Sequence, residues 1–291
     1  MSKIVELCPQ YIEKIWGGDF FSNILKVKDK KIGECILFSA DLKIIDCMWE
    51  NDGKKLREII ENEKEVLGWN LYEKILSLEI KIIDAKENLS IQVHPEEKDE
   101  MWYVLQNEKN TCIYLGWQEE LDSETIKEKI YEADILKELR SYLIEKEDCI
   151  YIPGGVIHSL GKGIRVLEVK ERGETYRLYD FGRNRTLELE KGIREISVRK
   201  KGMIQKKKEN GLIGTIGIWE IHRICFFNAI KIPIYQKVCI AIFIEGQGVV
   251  KCLGKIKEYY AGKLYLMFVK NEKVSIEGSG TVIMLLNKGR M

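Results

Sequence analysis

Residues 89–95 read Leu-Ser-Ile-Gln-Val-His-Pro, and residues 152–158 read Ile-Pro-Gly-Gly-Val-Ile-His. In the first stretch, strand alternation turns Gln92 and His94 to one face and Ile91 and Val93 to the other, so two ligand-type side chains converge while two β-branched ones seek a core. In the second, an apolar strand runs into a Pro-Gly turn that redirects the backbone before His158 enters the next strand. Glu100 follows the polar turn Glu96 to Asp99 and opens the aromatic strand Met101-Trp102-Tyr103-Val104; a hairpin of that length returns its carboxylate to the same pole. Two neutral imidazoles, a carboxylate and an amide oxygen make an N/O site for zinc or another divalent transition ion, with a position open to water or substrate. The chain has only three histidines, and His222 is the one outside this pattern.

Around these stretches the hydrophobic pattern is that of short strands: Ile80 to Ala85, Trp102 to Leu105, Thr111 to Leu115, Cys149 to Ile152 and Ile164 to Val169, separated by polar turns. Close spacing of this kind predicts a mainly β, antiparallel sandwich or barrel. Two helical regions interrupt it. Leu56, Ile59, Ile60, Val66 and Leu67 recur near the 3.6-residue period, and a second helix follows to about Leu78, so helices are expected over about 54–78. Ile126, Ile130, Ile135, Leu139 and Leu143 predict another over 123–143, with Asp122 or Ser123 as its N-cap. Near residue 199 the run Arg-Lys-Lys-Gly-Met-Ile-Gln-Lys-Lys-Lys reads as a basic, exposed connection over 199–212. From 213 to 291 short apolar strands alternate with Gly-containing segments, Glu245 to Gly248 and Glu277 to Gly280 among them, which are expected to be turns of a second, smaller β-domain.

Composition narrows the function classes. In 291 residues, 47 basic against 46 acidic side chains leave a net charge of +1, which argues against a polyanion-wrapping protein or an anionic-membrane binder. A chain this long buries roughly three-quarters of its unfolded surface and needs no metal merely to hold a core, so a metal here is expected to serve chemistry. The eight cysteines are dispersed with no CxxC, and the first residues lack the apolar stretch of a signal peptide; both predict free thiols in the cytoplasm.

The ordered set of Ile15 to Gly18 (IWGG), Gly33 to Cys35 (GEC), Lys81 ahead of QVHP, the PGGVIH segment and Thr175 to Asp180 (TYRLYD) resembles type I mannose-6-phosphate isomerase (phosphomannose isomerase), in its short bacterial form. The resemblance runs from about Pro9 to Ser197. It implies a cupin (jelly-roll) β-sandwich over 1–198, a degenerate cupin-like β-domain over 213–291, and one Zn2+ per chain held by Gln92, His94, Glu100 and His158. It also implies Arg177 and Lys81 as catalytic residues suited to an anionic sugar phosphate, with Glu168 as an acidic residue of the pocket. Two departures stand out. The turn before Glu100 is shorter than the family's loop, which leaves Glu97 as the alternative ligand. Arg172-Gly173-Glu174 stands where the family reads Ser-Asp-Thr, so Glu174 matches the family's Asp only with one residue lost.

The activity so implied is aldose-ketose isomerisation, the interconversion of mannose 6-phosphate and fructose 6-phosphate through an enediol, with Glu174, Glu168 or a metal-bound hydroxide as base. Two competitors share the site chemistry: a noncatalytic sugar-binding or regulatory cupin, and a metal-dependent cupin oxygenase in which two His and one Glu hold Fe(II). Neither nucleic acid nor membrane is expected as a partner.

Overall fold

The computed structural model describes residues 3–41, 45–49, 53–132, 134–206, 209–269 and 272–288. The chain divides into two compact units, one of Met1–Gln10, Ile36–Ile80 and Lys208–Met291, the other of Tyr11–Cys35 and Lys81–Lys207. The division falls within the strands Ile32–Asp41 and Leu78–Ala85. The architecture is mainly β, built from antiparallel sheets.

The second of these units is a sandwich. One sheet runs, in spatial order, Leu139–Leu143, Cys112–Trp117, His158–Ser159, Ile91–Val93 and Tyr176–Tyr179. The facing sheet includes Met203–Gln205, Cys149–Ile152, Glu100–Asn107, Ile164–Glu171 and Leu78–Ala85 in that order. Trp102, Val104, Ile113, Leu115, Ile150 and Val166 come from both sheets and share one core. Ile91 and Val93 join a separate core on the outer face, with Ile126 and Ile130 of the helix Ser123–Tyr131. The alternation read at 91–94 is therefore realised: the β-branched pair packs under a helix while Gln92 and His94 are left to the inner side.

The helix expected over 123–143 is shorter. Asp122 caps it, its Oδ1 accepting from the backbone N–H groups of Glu124 and Thr125 at 2.9 Å each. The helix stops at Tyr131; Ile135–Glu138 is a 3-10 turn, and Leu139–Leu143 is a strand paired with Cys112–Trp117. Ala133 lies outside the described residues. Leu139-Arg-Ser-Tyr-Leu fits a period of two as well as one of four, and the open edge of Cys112–Trp117 supplies backbone partners that decide between them. The expected helices of 54–78 are three short ones, Leu56–Glu61, Lys64–Leu67 and Trp69–Leu76, with Leu78 already in the next strand. Within the basic connection, Met203–Gln205 is a strand on Cys149–Ile152, and Lys206 pairs with the buried Asp148 at 2.8 Å. Lys207 and Lys208 lie outside the described residues.

In the other unit, Glu245 to Gly248 and Glu277 to Gly280 are not turns. They sit inside the long strands Val238–Cys252 and Glu272–Asn287, with Gly246 opposite Gly280 and Gly248 opposite Gly278. A Cβ on Gly246 would stand 1.9 Å from the carbonyl oxygen of Ser279, so the glycines permit a close backbone approach. The interior of this unit holds Phe243 stacked on Tyr259 at 4.0 Å, with Tyr265, Met267 and Met284. It is a largely apolar fill, and the cluster of metal-ligand type found among the described residues lies in the other unit.

Candidate metal centre and active site

Three neighbouring strands carry the first residues of the site. His158 pairs across the sheet with Gln92, and Gln92 on its other side with Arg177, which places the three side chains in one row. His94 follows two residues after Gln92 on the same face. From the opposite sheet Glu100, the first residue of its strand, brings its carboxylate to 2.8 Å from His94 Nε2. Ligand atoms of His94, Glu100 and His158 lie within 4.8 Å of one another, and all three residues are buried, His158 completely. Gln92 Nε2 is 3.2 Å from His158 Nε2. Glu97 is exposed and stands outside this cluster.

The two turns that deliver the histidines interlock. Gly155 N–H donates to the carbonyl of His94 at 2.9 Å. A Cβ on Gly154 would stand 2.2 Å from the carbonyl oxygen of Pro95 and 2.5 Å from that of Glu96. Gly154→Ala is therefore expected to destabilise the fold by about 1–3 kcal/mol, since backbone rather than a flexible side chain must move; a thermal unfolding midpoint equal to wild type would contradict it.

The donors fit a divalent transition ion. His158 Nδ1 is 2.8 Å from the carbonyl oxygen of Val156, to which it donates as N–H, leaving the Nε2 lone pair turned to the centre. His94 Nδ1 is 3.2 Å from both the carbonyl oxygen of Glu174 and Thr175 Oγ1, which orients that ring in the same way. Turning the Gln92 amide by 180° exchanges its oxygen and nitrogen and offers the oxygen. Burial pushes His94 down to about 3 and lowers His158, so both rings are neutral and able to coordinate. Burial alone would raise Glu100, but the His94 contact and the Lys170 charge hold it well below the ordinary carboxylate range.

These shifts predict a pH effect on the metal-free protein. The unfolded chain protonates its histidines near 6.5, whereas His94 stays neutral in the fold until about pH 3. Between those values the unfolded state binds more protons, and stability falls as pH falls. Glu168, whose carboxyl burial raises, acts in the opposite sense. The urea midpoint is thus expected to drop from pH 7 to pH 5 by more in wild type than in His94→Gln, and equal drops would remove the imidazole from the account.

A charged network adjoins this centre. Lys81, which the resemblance implies as catalytic, is buried, with Nζ 3.0 Å from Glu34 and 3.4 Å from Glu168. Lys170 pairs with Glu168 at 2.7 Å. Burial and the Glu100 charge raise the Glu168 carboxyl in spite of both lysines. Burial would raise Glu34 too, but Lys81, Lys14 and Lys170 together bring it down to about 2. Arg177 does not pair with Asp180, which is taken by Arg183 and Arg185. Its Nη1 donates to the Thr186 carbonyl at 2.7 Å, while Nε is buried without a partner. Glu174 contributes its backbone carbonyl to the site, and its side chain is exposed.

The sequence reading missed Lys98, Glu34 and Lys170. Lys98 is almost fully buried and donates to the carbonyls of Gly173 and Glu174 and to Thr175 Oγ1, at 3.1, 3.2 and 2.8 Å. Burial and the Lys170 charge lower its ammonium to about 7. It looked like one more polar residue of the Glu96 to Asp99 turn; its place two residues before Glu100 was the available signal.

Residues 4–114 match the family described as phosphomannose isomerase type I, catalytic domain. The chain is 30% identical to mannose-6-phosphate isomerase ManA of Bacillus subtilis over 214 residues, 65% of this chain and 67% of that one. It is 29% identical to the mannose-6-phosphate isomerase of Streptococcus mutans over 222 residues, 69% of this chain and 70% of that one. The crystal structure of the mannose 6-phosphate isomerase from Bacillus subtilis superposes with a TM-score of 0.82 at 25% identity, over 97% of this chain and 99% of that one. A mannose 6-phosphate isomerase solved with zinc and yttrium shares the fold, with a TM-score of 0.78 at 12% identity over 98% of this chain and all of the other.

Proposed function

The chain belongs to the type I phosphomannose isomerase family, and from that membership we propose that it interconverts mannose 6-phosphate and fructose 6-phosphate in the cytoplasm, with one zinc ion per chain held by Gln92, His94, Glu100 and His158. The observation that carries the proposal is the meeting of His94, Glu100 and His158 beside Lys81, Glu168 and Arg177. The metal supplies Lewis acidity and a template for two substrate oxygens when bound.

The reaction moves one proton between adjacent carbons of the opened sugar, so the chain must supply a base and steady the negative charge that develops. We assign the base to Glu168: it is buried, its carboxyl is raised, and Lys81 and Lys170 flank it, whereas the Glu174 side chain is exposed. A carboxylate with a raised pKa takes a carbon-bound proton and returns it to the neighbouring carbon more readily than a solvated one. Arg177, with an unpaired buried Nε, is suited to hold the substrate and the enediolate charge. Lys98 fixes the 173–175 backbone that orients His94. The eight free cysteines accord with a reducing compartment.

The test is a coupled assay on zinc-loaded protein. The expected result is isomerisation of mannose 6-phosphate with zinc near one equivalent. Sugar phosphate binding without turnover would favour the noncatalytic cupin, and oxygen uptake with Fe(II) the oxygenase.

A further inference from the structure

A groove of about 580 Å³ lies wholly within the unit that contains residues 36–80 and the C-terminal strands, a size suited to a small ligand. Trp69, Asn70, Tyr235, Lys237, Asn287 and Lys288 are among its lining residues. Trp69 and Tyr235 are 66% and 73% exposed. Trp69 is nonetheless supported, with the Lys64 ammonium 4.9 Å from its ring centre and Tyr72 5.7 Å away. Such a ring is a ready platform for an apolar ring face.

The groove also carries positive charge. Lys288 is exposed at the groove, and no carboxylate is among its lining residues. Lys237 spans the carbonyls of Val66 and Leu67 at 2.7 and 3.2 Å, which keeps its positive charge at the rim. Aromatic faces and two ammonium groups together match a pyranose bearing an anionic group.

We infer that this groove is a second binding site, for a phosphorylated hexose, which it binds without reacting because it holds neither a metal ligand set nor a carboxylate. The inference depends on the isomerase reading only for the choice of mannose 6-phosphate as probe.

The experiment is calorimetric titration of the full chain with mannose 6-phosphate, followed in parallel by tryptophan fluorescence. Wild type is expected to bind one more equivalent than Trp69→Ala, and Lys288→Glu, an exposed change that leaves the fold intact, to weaken that equivalent at least tenfold. Turnover of both variants at saturating substrate is expected to be unchanged. If isomerisation fails in wild type while the Trp69-dependent equivalent persists, the groove stands and the isomerase reading falls. Equal stoichiometry in wild type and both variants overturns the site. So does inorganic phosphate alone reproducing the full effect at equal affinity, or a dimer seen by sedimentation that Trp69→Ala dissolves.

Discussion

Replacing His158 with alanine is expected to abolish isomerisation and to leave the purified protein nearly free of metal, with the fold retained. His158 is fully buried, and its ring is fixed at both ends, by the Val156 carbonyl at Nδ1 and by the ligand centre at Nε2. Losing an outer-shell partner of a metal ligand typically costs about 10- to 100-fold in affinity, and loss of the ligand itself exceeds that. The alanine also leaves a cavity against Trp102, whose ring meets the imidazole edge-on at 5.7 Å, so a lower unfolding midpoint is expected alongside. Elemental analysis and the coupled assay on the same sample read both consequences. Full metal content with wild-type turnover in this variant would remove His158 from the centre and, with it, the reading of the site.

Arg177→Met is expected to lower kcat/KM by about 10²- to 10³-fold, the size of effect seen when one preorganised donor to a developing oxyanion is removed. The change keeps the strand, because Arg177 backbone N–H still donates to Glu188 Oε2 at 3.1 Å and the pairing with Gln92 is unaffected. Arg177→Lys is expected to recover only a small part, since an ammonium lacks the planar fork with which a guanidinium holds two oxygens at once. Metal content is the control. A variant that keeps its metal and loses turnover places Arg177 on the substrate, whereas unchanged kcat/KM would leave it a strand residue tied to Thr186.

Much of the centre was legible because it rests on local rules. Alternation in Ile91-Gln92-Val93-His94 decides which side chains face inward whatever the strand pairs with, and a Pro-Gly turn before His158 is a backbone statement in itself. The turn length left Glu100 and Glu97 both open, and only the tertiary contact of Glu100 with His94 separates them. Charges behave differently. Lys98, Glu34 and Lys170 resemble surface residues in a chain rich in lysine and glutamate, and only their packing against Glu174, Lys81 and Glu168 removes them from water.

The sequence by itself determined the mainly β architecture and the strand alternation that turns Gln92 and His94 to one face, because periodicity and turn chemistry act over a few residues. Tertiary structure alone decided that Leu139–Leu143 is a strand, that the two glycine segments face each other inside long strands, and that Glu168 sits between two lysines. Each of these depends on a partner distant along the chain: an open sheet edge that satisfies backbone groups, a second backbone close enough to exclude a Cβ, or a buried charge whose protonation is set by what surrounds it.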